Sequence, residues 1–245
     1  METKSLLPRV WDVPPVFRNR LGAQVGKQRA MFADGHLLLV LHQPPGPDEL
    51  ERHGRFLWRK PDGTWTSNDL GSSPNVVNRH LDQFAEAVAA CDELEEAATS
   101  AEDYFAVMDR LAPISRAARH LHQVLQEART MVPDARELIN FRDRSYDIER
   151  NAELLHTDTK NALDLLMARQ AEEQARASHH MAVSAHRLNL LVAFFFPLAT
   201  LSGILGVNLL HGFEHLAPPL PFLIFLCTGL LSGFALAAFV NTGRK

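Results

Sequence analysis

The residues whose chemistry could involve a metal ion include two groups of histidines in the last third of the sequence. His211 and His215 flank Glu214 in the pattern H-x-x-E-H, which one class of zinc proteases carries on a helix. Here the pattern includes a glycine and lies in a short loop between apolar segments, so we predict no peptidase site. The two imidazoles could instead bind a soft divalent metal such as Zn²⁺, or the loop could simply be solvated.

The second group of histidines, His179, His180 and His186, lies upstream of that loop. His179 and His186 are seven residues apart and therefore share one face of a helix. In an oligomer they would form two stacked rings of histidines; solvated positions on an exposed helix are the alternative. Glu172 and Glu173 could concentrate cations nearby or form a solvated face.

Two apolar segments must position these groups. Residues 188–207 and 221–240 each contain 20 residues without one charge. At 1.5 Å per residue, each helix would span roughly 30 Å, which is the thickness of the hydrocarbon core of a bilayer. A core helix of a soluble domain rarely runs so long without a polar face. We therefore predict a two-transmembrane-helix hairpin at the C-terminal end.

The charges beside these segments predict the orientation of the hairpin. Arg187 precedes the first segment, Arg244 and Lys245 follow the second, and the loop at 208–220 has no Lys or Arg. The positive-inside rule then places both termini in the cytoplasm. Because the N-terminal sequence lacks the apolar region of a signal peptide, we expect a multi-pass protein of the inner or plasma membrane.

The composition excludes several classes of function. The 245 residues allow one or two compact units, and a net charge of −4 does not suit a nucleic-acid binder. Two cysteines, Cys91 and Cys227, cannot form a disulfide scaffold or a four-cysteine zinc site. The sequence contains no Ser-His-Asp set, phosphate-binding loop or dinucleotide fingerprint, so we predict no enzymatic activity and no covalently bound cofactor.

The N-terminal part of the chain has the pattern of a small β-sheet. Asp34-Gly35 and Asp62-Gly63 are typical of two-residue hairpin turns and lie between short apolar runs. We predict four strands, at residues 28–32, 36–42, 55–60 and 64–67.

The rest of the chain has a helical pattern. We predict helices at residues 76–99, 101–130 and 134–207, and Pro113 either kinks the second of these or starts a new one. The third helix carries a partial heptad, which predicts a stalk packed on neighbouring helices or an ordinary amphipathic helix. The heptad consists of Leu138, Phe141, Ser145, Ile148, Ala152, Leu155, Thr159, Ala162 and Leu166.

These patterns predict an α+β fold that is mostly α. We expect a β-rich region at residues 1–75, a helical cytoplasmic domain and stalk at 76–187, and the transmembrane module at 188–245.

One stretch of the first apolar segment resembles the first transmembrane helix of the CorA family of divalent-cation channels. That family has a proline in this helix, a glycine six residues later and Gly-Met-Asn at the outer end. Pro197, Gly203, Gly206 and Asn208 stand at the matching spacings, and a second apolar segment follows a short loop. The resemblance covers the C-terminal quarter well and the first 133 residues only weakly.

The resemblance implies a homopentamer whose central pore is lined by the first transmembrane helix. Gly206, Val207 and Asn208 would form the ion selectivity filter, where five Asn208 amides accept hydrogen bonds from the water shell of Mg²⁺. A plain helix C-cap is the alternative role for Asn208. Glu214 would attract cations to the outer mouth. The implied pore-lining and gating residues are Leu188, Val192, Phe196, Ala199 and Gly203.

Two departures from the family pattern bear on the transported ion. Val207 replaces the methionine of Gly-Met-Asn, and the zinc-transporting, ZntB-like branch has isoleucine there. The cytoplasmic part is also shorter than is usual in the family, so we assign no regulatory metal site in it. The resemblance favours Mg²⁺ as the transported or regulatory ion, with Zn²⁺, Co²⁺ or Ni²⁺ as alternatives.

The second apolar segment carries small residues at intervals of four: Gly229, Gly233 and Ala237. Such a stripe permits close packing of helices in a membrane. We predict packing against the first transmembrane helix of the same or a neighbouring chain, with a two-chain dimer as the alternative.

The sequence as a whole therefore predicts a CorA-like channel or transporter for divalent cations. Its simplest form is Mg²⁺ influx driven by the membrane potential through a homopentameric pore. The alternatives are a ZntB-like Zn²⁺ transporter and a membrane-anchored helical adaptor without transport activity. The expected partners are the lipid membrane, further copies of the chain and divalent cations.

Overall fold

The computed structural model describes residues 6–46, 53–206, 217 and 219–242. The described chain is mostly helical with one small antiparallel sheet, so the predicted α+β class is confirmed. It forms two compact units, Met1–Ala168 and Arg169–Lys245. The sequence-based division at residues 75 and 187 stays a prediction.

The first unit contains a four-stranded sheet in which each strand pairs with the next. Its strands are β1 (Arg29–Ala33), β2 (His36–His42), β3 (Gly54–Arg59) and β4 (Trp65–Ser67), each within one residue of the prediction. Asp34 and Gly35 connect β1 to β2 with φ angles of 50° and 76°, and Ala33 pairs with His36. This is the two-residue turn that an Asp-Gly pair favours.

The turn between β3 and β4 is longer than the predicted two-residue turn. The Lys60 amide donates to the Thr64 carbonyl at 2.9 Å, which leaves three residues between the paired positions. Gly63 takes the positive φ, 86°, and the Asp62 carboxylate accepts from the Thr64 amide at 2.9 Å. A glycine at this position is typical of three-residue hairpin loops, so the prediction was wrong by one residue.

Both faces of the sheet are buried. Along β2, every residue from Leu37 to His42 is buried, because side chains that alternate between the faces meet a different layer on each side. Leu37, Leu39 and Leu41 contribute to a core shared with the helices. Leu38 and Val40 pack under a layer formed by the N-terminal segment.

That N-terminal layer was not predicted from the sequence. It contains a short helix, α1 (Pro15–Asn19), and buries Leu7, Trp11 and Phe17 against the sheet. The Arg18 guanidinium donates to the backbone carbonyls of Trp11 at 2.8 Å and of Pro8 at 3.0 Å. These bonds hold the irregular segment in place, because such a segment has no ladder of its own to satisfy its carbonyls.

Two helices follow the sheet, α2 (Val76–Glu96) and α3 (Ala101–Met131). Ser100 and Asp103 form a reciprocal capping box at the start of α3, which satisfies amides that the first turn leaves free. Pro113 lies inside α3 and the helix continues through it. The prediction of a second helix starting there is therefore excluded, and both helices agree with the predicted ranges to within three residues.

The longest helix, α4 (Glu137–Gly206), continues without a break, as predicted. Its heptad positions are buried from Leu138 to Thr159, while Ala162 and Leu166 are half-buried and Leu163 is buried instead. This stripe packs in the same core as α2 and α3. From residue 169 to 182 every α4 side chain is exposed.

The second unit contains the apolar end of α4 and the last helix, α5 (Leu220–Thr242). Both helices are long and apolar enough to cross a membrane. Within their most apolar windows, 0% of the α4 residues and 11% of the α5 residues are buried inside the protein. An apolar surface left this open needs lipid or further protein to cover it.

Candidate functional site

Helix α5 contacts one face of the apolar part of α4 through two glycines. A Cβ on Gly229 would lie 2.6 Å from Cδ1 of Leu198, and a Cβ on Gly233 would lie 2.6 Å from the backbone oxygen of Phe194. Phe194 also packs edge-on against Phe234, with 5.1 Å between ring centroids. Gly229 and Gly233, two members of the predicted small-residue stripe, therefore contact α4 of the same chain.

The five implied pore residues lie on a different face of α4 from this contact. Phe194 and Leu198 lie roughly 160° around the helix from Phe196, at 100° per residue. The pore-lining set is exposed throughout in the single chain; it consists of Leu188, Val192, Phe196, Ala199 and Gly203. Leu188 is 62% exposed and Phe196 is 64% exposed. The hairpin contact thus leaves this face open.

Hydroxyl groups in the two apolar helices are satisfied within their own helices. Thr200 Oγ1 donates to the Phe196 carbonyl and Ser202 Oγ to the Leu198 carbonyl, both at 2.8 Å. In α5, Thr228 donates to the Ile224 carbonyl at 2.8 Å. Such back-bonding suits hydrocarbon, where an unpaired polar group is costly.

The implied selectivity filter lies mostly outside the described residues. Helix α4 ends at Gly206, and Val207 and Asn208 follow directly in the sequence. Glu214 and the two loop histidines, His211 and His215, are also outside the described residues. Their roles stay predictions.

The histidines upstream of the apolar segment are exposed or half-buried on α4. His179 and His180 are exposed, with 6.3 Å between their ring centroids, and His186 is half-buried. In the described part of the chain, no group of three or more His, Cys, Asp or Glu residues could hold a metal ion. Cys91 and Cys227 are free thiols, and burial raises the pKa of the Cys91 thiol.

The first unit contains a buried polar network that sequence reasoning missed. The Arg55 guanidinium on β3 donates to Nδ1 of His80 at 2.8 Å and to Oε1 of Gln83 at 2.5 Å, and it pairs with Asp69 at 2.8 Å. Burial, followed by the charge of Arg55, lowers the pKa of His80 to about 3. Although burial alone raises the pKa of Asp69, hydrogen bonds from Arg55 and Ser67 lower it overall.

This network joins β3 to α2, so we assign it a role in holding the fold together rather than in chemistry on a ligand. A neutral His80 accepts from Arg55 through Nδ1, which leaves the proton on Nε2, an atom without a partner in the described structure. The only sequence signal was Arg55, a charged residue next to the apolar run of three residues in the strand G-R-F-L-W-R.

A second polar cluster joins α3 to α4. His122 Nδ1 lies 2.6 Å from a carboxylate oxygen of Glu149, and Arg119 pairs with Glu153 at 2.6 Å. Arg119 also lies 3.4 Å from Glu149. The hydrogen bond and charge of Glu153 raise the pKa of Arg119. The cluster is half-exposed and orders the two antiparallel helices in one register.

Comparison with known proteins gives limited information. No protein-family model and no curated protein matches the chain. Among solved structures, the chain is similar to one described as the full-length CmaX protein, with a TM-score of 0.45 and 16% sequence identity. The alignment covers 92% of this chain and 77% of that chain. At these values the similarity assigns neither a family nor an activity.

Proposed function

We propose that the chain is a membrane protein whose first span lines a path for divalent cations. The observation that carries the proposal is the arrangement of the hairpin: α5 packs against Phe194 and Leu198, and the face of α4 that holds Phe196 stays open. An open helix face in a bilayer contacts either lipid or further helices. The resemblance of the segment around Pro197 to the CorA family favours further copies around a pore.

In this proposal Asn208 supplies a ring of amide oxygens at the outer mouth. Mg²⁺ gives up its water shell reluctantly, and neutral oxygens can hydrogen-bond to that shell without removing it. A ring of carboxylates would bind the ion too tightly, because conduction requires that each ion also leave. Farther inside, Leu188 and Phe196 would form apolar constrictions that gate the path by dewetting.

The proposed ion is Mg²⁺, and its influx needs no further energy source. A divalent ion that moves into a negatively charged interior gains roughly 4–5 kcal/mol at 100 mV, from about 2.3 kcal/mol per charge. Zn²⁺ is the second candidate, because Val207 departs from the Mg²⁺ pattern and His211 and His215 offer softer ligands.

The proposed topology follows from the charges beside the spans. Arg187, Arg244 and Lys245 flank the hairpin on one side, and the connecting loop has no Lys or Arg. Both termini and the unit Met1–Ala168 would then lie in the cytoplasm, with the protein in the inner or plasma membrane.

Flux measurements on the full chain in liposomes test the proposal. With a Mg²⁺-sensitive dye inside and an inside-negative potential, we expect dye signal from the native protein and at least a tenfold loss with Asn208→Ala. Asn241→Ala, an asparagine near the end of α5, is the matched control and should transport as the native protein does. Equal flux from native protein and Asn208→Ala would reject the assigned filter.

Two further measurements separate the alternatives. Flux of Zn²⁺ against Mg²⁺ under the same potential distinguishes a ZntB-like transporter from a Mg²⁺ channel. Native mass in detergent distinguishes both from an adaptor, because a monomer or dimer without flux for either ion would fit only a membrane-anchored helical adaptor.

A further inference from the structure

A groove between α2 and α4 in the unit Met1–Ala168 combines an apolar floor with an acidic rim. Its volume is about 350 Å³. Val88, Ile148 and Leu155 form part of the floor, and the rim carries Asp92, Glu95 and Asp158. We call this side of the unit the acidic flank.

The carboxylates of the acidic flank have no counterion in the described structure. None of Asp92, Glu95 and Asp158 forms an ion pair with another described residue. Leu154 and Leu165 lie on the same side of α4 and are 45% and 54% exposed. Like charges around an uncovered apolar surface favour a partner that brings both positive charge and apolar area.

The opposite side of α4, where it packs on α3, has the complementary character. A second groove there is lined by Arg116, Arg119 and His156, and Lys160 follows one turn later. Arg119 is already paired with Glu153, whereas Arg116 and Lys160 form no ion pair with any described residue. We call this side the basic flank.

The basic flank also exposes apolar side chains. Phe105 on α3 is 56% exposed and Met167 on α4 is 52% exposed. The ion pair between Arg119 and Glu153 sets the antiparallel register of the two helices, and that register places Phe105 near the level of residues 166–167.

The two flanks lie at the same level of α4 and on opposite sides of it. Asp158 and Lys160 are two residues apart, which is roughly 160° around a helix at 100° per residue. Leu165 and Met167 lie about two turns farther along α4 and are also roughly 160° apart around the helix. A rotation about an axis parallel to α4 would therefore bring the basic flank of one copy against the acidic flank of the next, without sliding along the helix.

We propose that the acidic flank binds the basic flank of a second copy of this chain. Arg116 and Lys160 of one copy would face Asp92 and Asp158 of its neighbour. The exposed leucines would pack against the neighbour's Phe105 and Met167. Such a contact is heterologous, so its repetition closes a ring when the rotation permits. The inference rests on the proposed function in one respect: copies inserted in one membrane share one orientation.

Disulfide cross-linking of the full chain in its membrane tests the contact. Two variants are co-expressed, one with Asp158→Cys and one with Arg116→Cys, both in a Cys227→Ser background. We expect a linked dimer after mild oxidation of the mixture and none from either variant alone. A link formed by Asp158→Cys with itself would indicate a two-fold contact and overturn the proposal. Thr130→Cys, an exposed position near the far end of α3, replaces Arg116→Cys as the matched control and should give no link.

Charge reversal supplies an independent measurement. Arg116→Glu should lower the fraction of assembled protein at high dilution by at least severalfold, and adding Asp158→Arg should restore it. Restoration by the double variant also excludes misfolding as the cause of the first loss. If no disulfide cross-link forms although the native mass is that of a ring, this inference is overturned and the proposed function stands. A monomeric native mass would overturn both.

Discussion

At the scale of single residues, Gly229 and Gly233 differ in what surrounds them. A Cβ on Gly233 would meet the backbone oxygen of Phe194, whereas a Cβ on Gly229 would meet the end of the Leu198 side chain. A side chain can rotate away, but the backbone of a packed helix cannot move without repacking.

We therefore expect Gly233→Ala to destabilise the hairpin by about 1–3 kcal/mol and Gly229→Ala by less than about 1 kcal/mol. Hydrogen–deuterium exchange of the α4 and α5 peptides in detergent micelles measures the difference, because local opening exposes these amides. Faster exchange in Gly229→Ala than in Gly233→Ala would contradict the arrangement of the two helices.

The buried His80 predicts a specific dependence of stability on pH. Its pKa of about 3 in the folded protein lies below the ordinary value of 6.5. The unfolded chain therefore binds the extra proton first as the pH falls below 6.5. The free energy of unfolding should decrease toward acid, by up to about 1.4 kcal/mol per pH unit.

His80→Gln should flatten this slope between pH 6.5 and 5, since the amide oxygen can still accept from Arg55 and does not titrate. Tryptophan fluorescence in urea at each pH measures it, because all three tryptophans, Trp11, Trp58 and Trp65, lie in the unit Met1–Ala168. An equal slope in the variant would assign the pH dependence to other groups.

At the scale of elements, the N-terminal layer decides whether the sheet is covered on both faces. Phe17 is fully buried against the sheet, and Val10 in the same segment is 89% exposed. Phe17→Ala should cost about 3–5 kcal/mol of unfolding free energy. Val10→Ala should change it by less than about 0.5 kcal/mol. Urea titration followed by tryptophan fluorescence compares the two, and similar midpoints would show that the layer contributes little.

The elements that could be predicted from the sequence are those with local signals. Asp34-Gly35 predicted its turn because these residue types adopt positive φ angles more readily than others. The apolar spacing from Leu138 to Leu155 predicted a buried stripe. The N-terminal layer carries no periodic pattern, so its place on the sheet depends on the apolar face left by Leu38 and Val40. That face exists only in the assembled sheet.

The Arg55 network escaped prediction for a similar reason. Its members come from β3, from the segment after β4 and from α2, so no local spacing connects Arg55, Asp69 and His80. In the second unit, by contrast, Gly229 and Gly233 stand at a local interval of four residues that favours close helix packing, and both lie against α4.

At the scale of the whole molecule, the open face of α4 predicts where side-chain size would control flux in the proposed channel. Under the proposed function, Phe196→Ala should raise Mg²⁺ flux severalfold in liposomes, because a smaller side chain would widen the proposed apolar constriction. Phe222→Ala on α5, which is equally exposed in the single chain at 61%, is the matched control and should leave flux unchanged. Equal effects of the two changes would indicate that Phe196 faces lipid.

The double-sided burial of β2 has a consequence for synthesis on the ribosome. The run from Leu37 to Leu41 emerges after the residues that cover one of its faces, but about a hundred residues before Leu138, Phe141 and Ile148, which help to cover the other. During that interval the nascent chain presents a β-prone, uncharged stretch of the kind that aggregates. One face of this hairpin is therefore an aggregation hazard until the later helices have been translated.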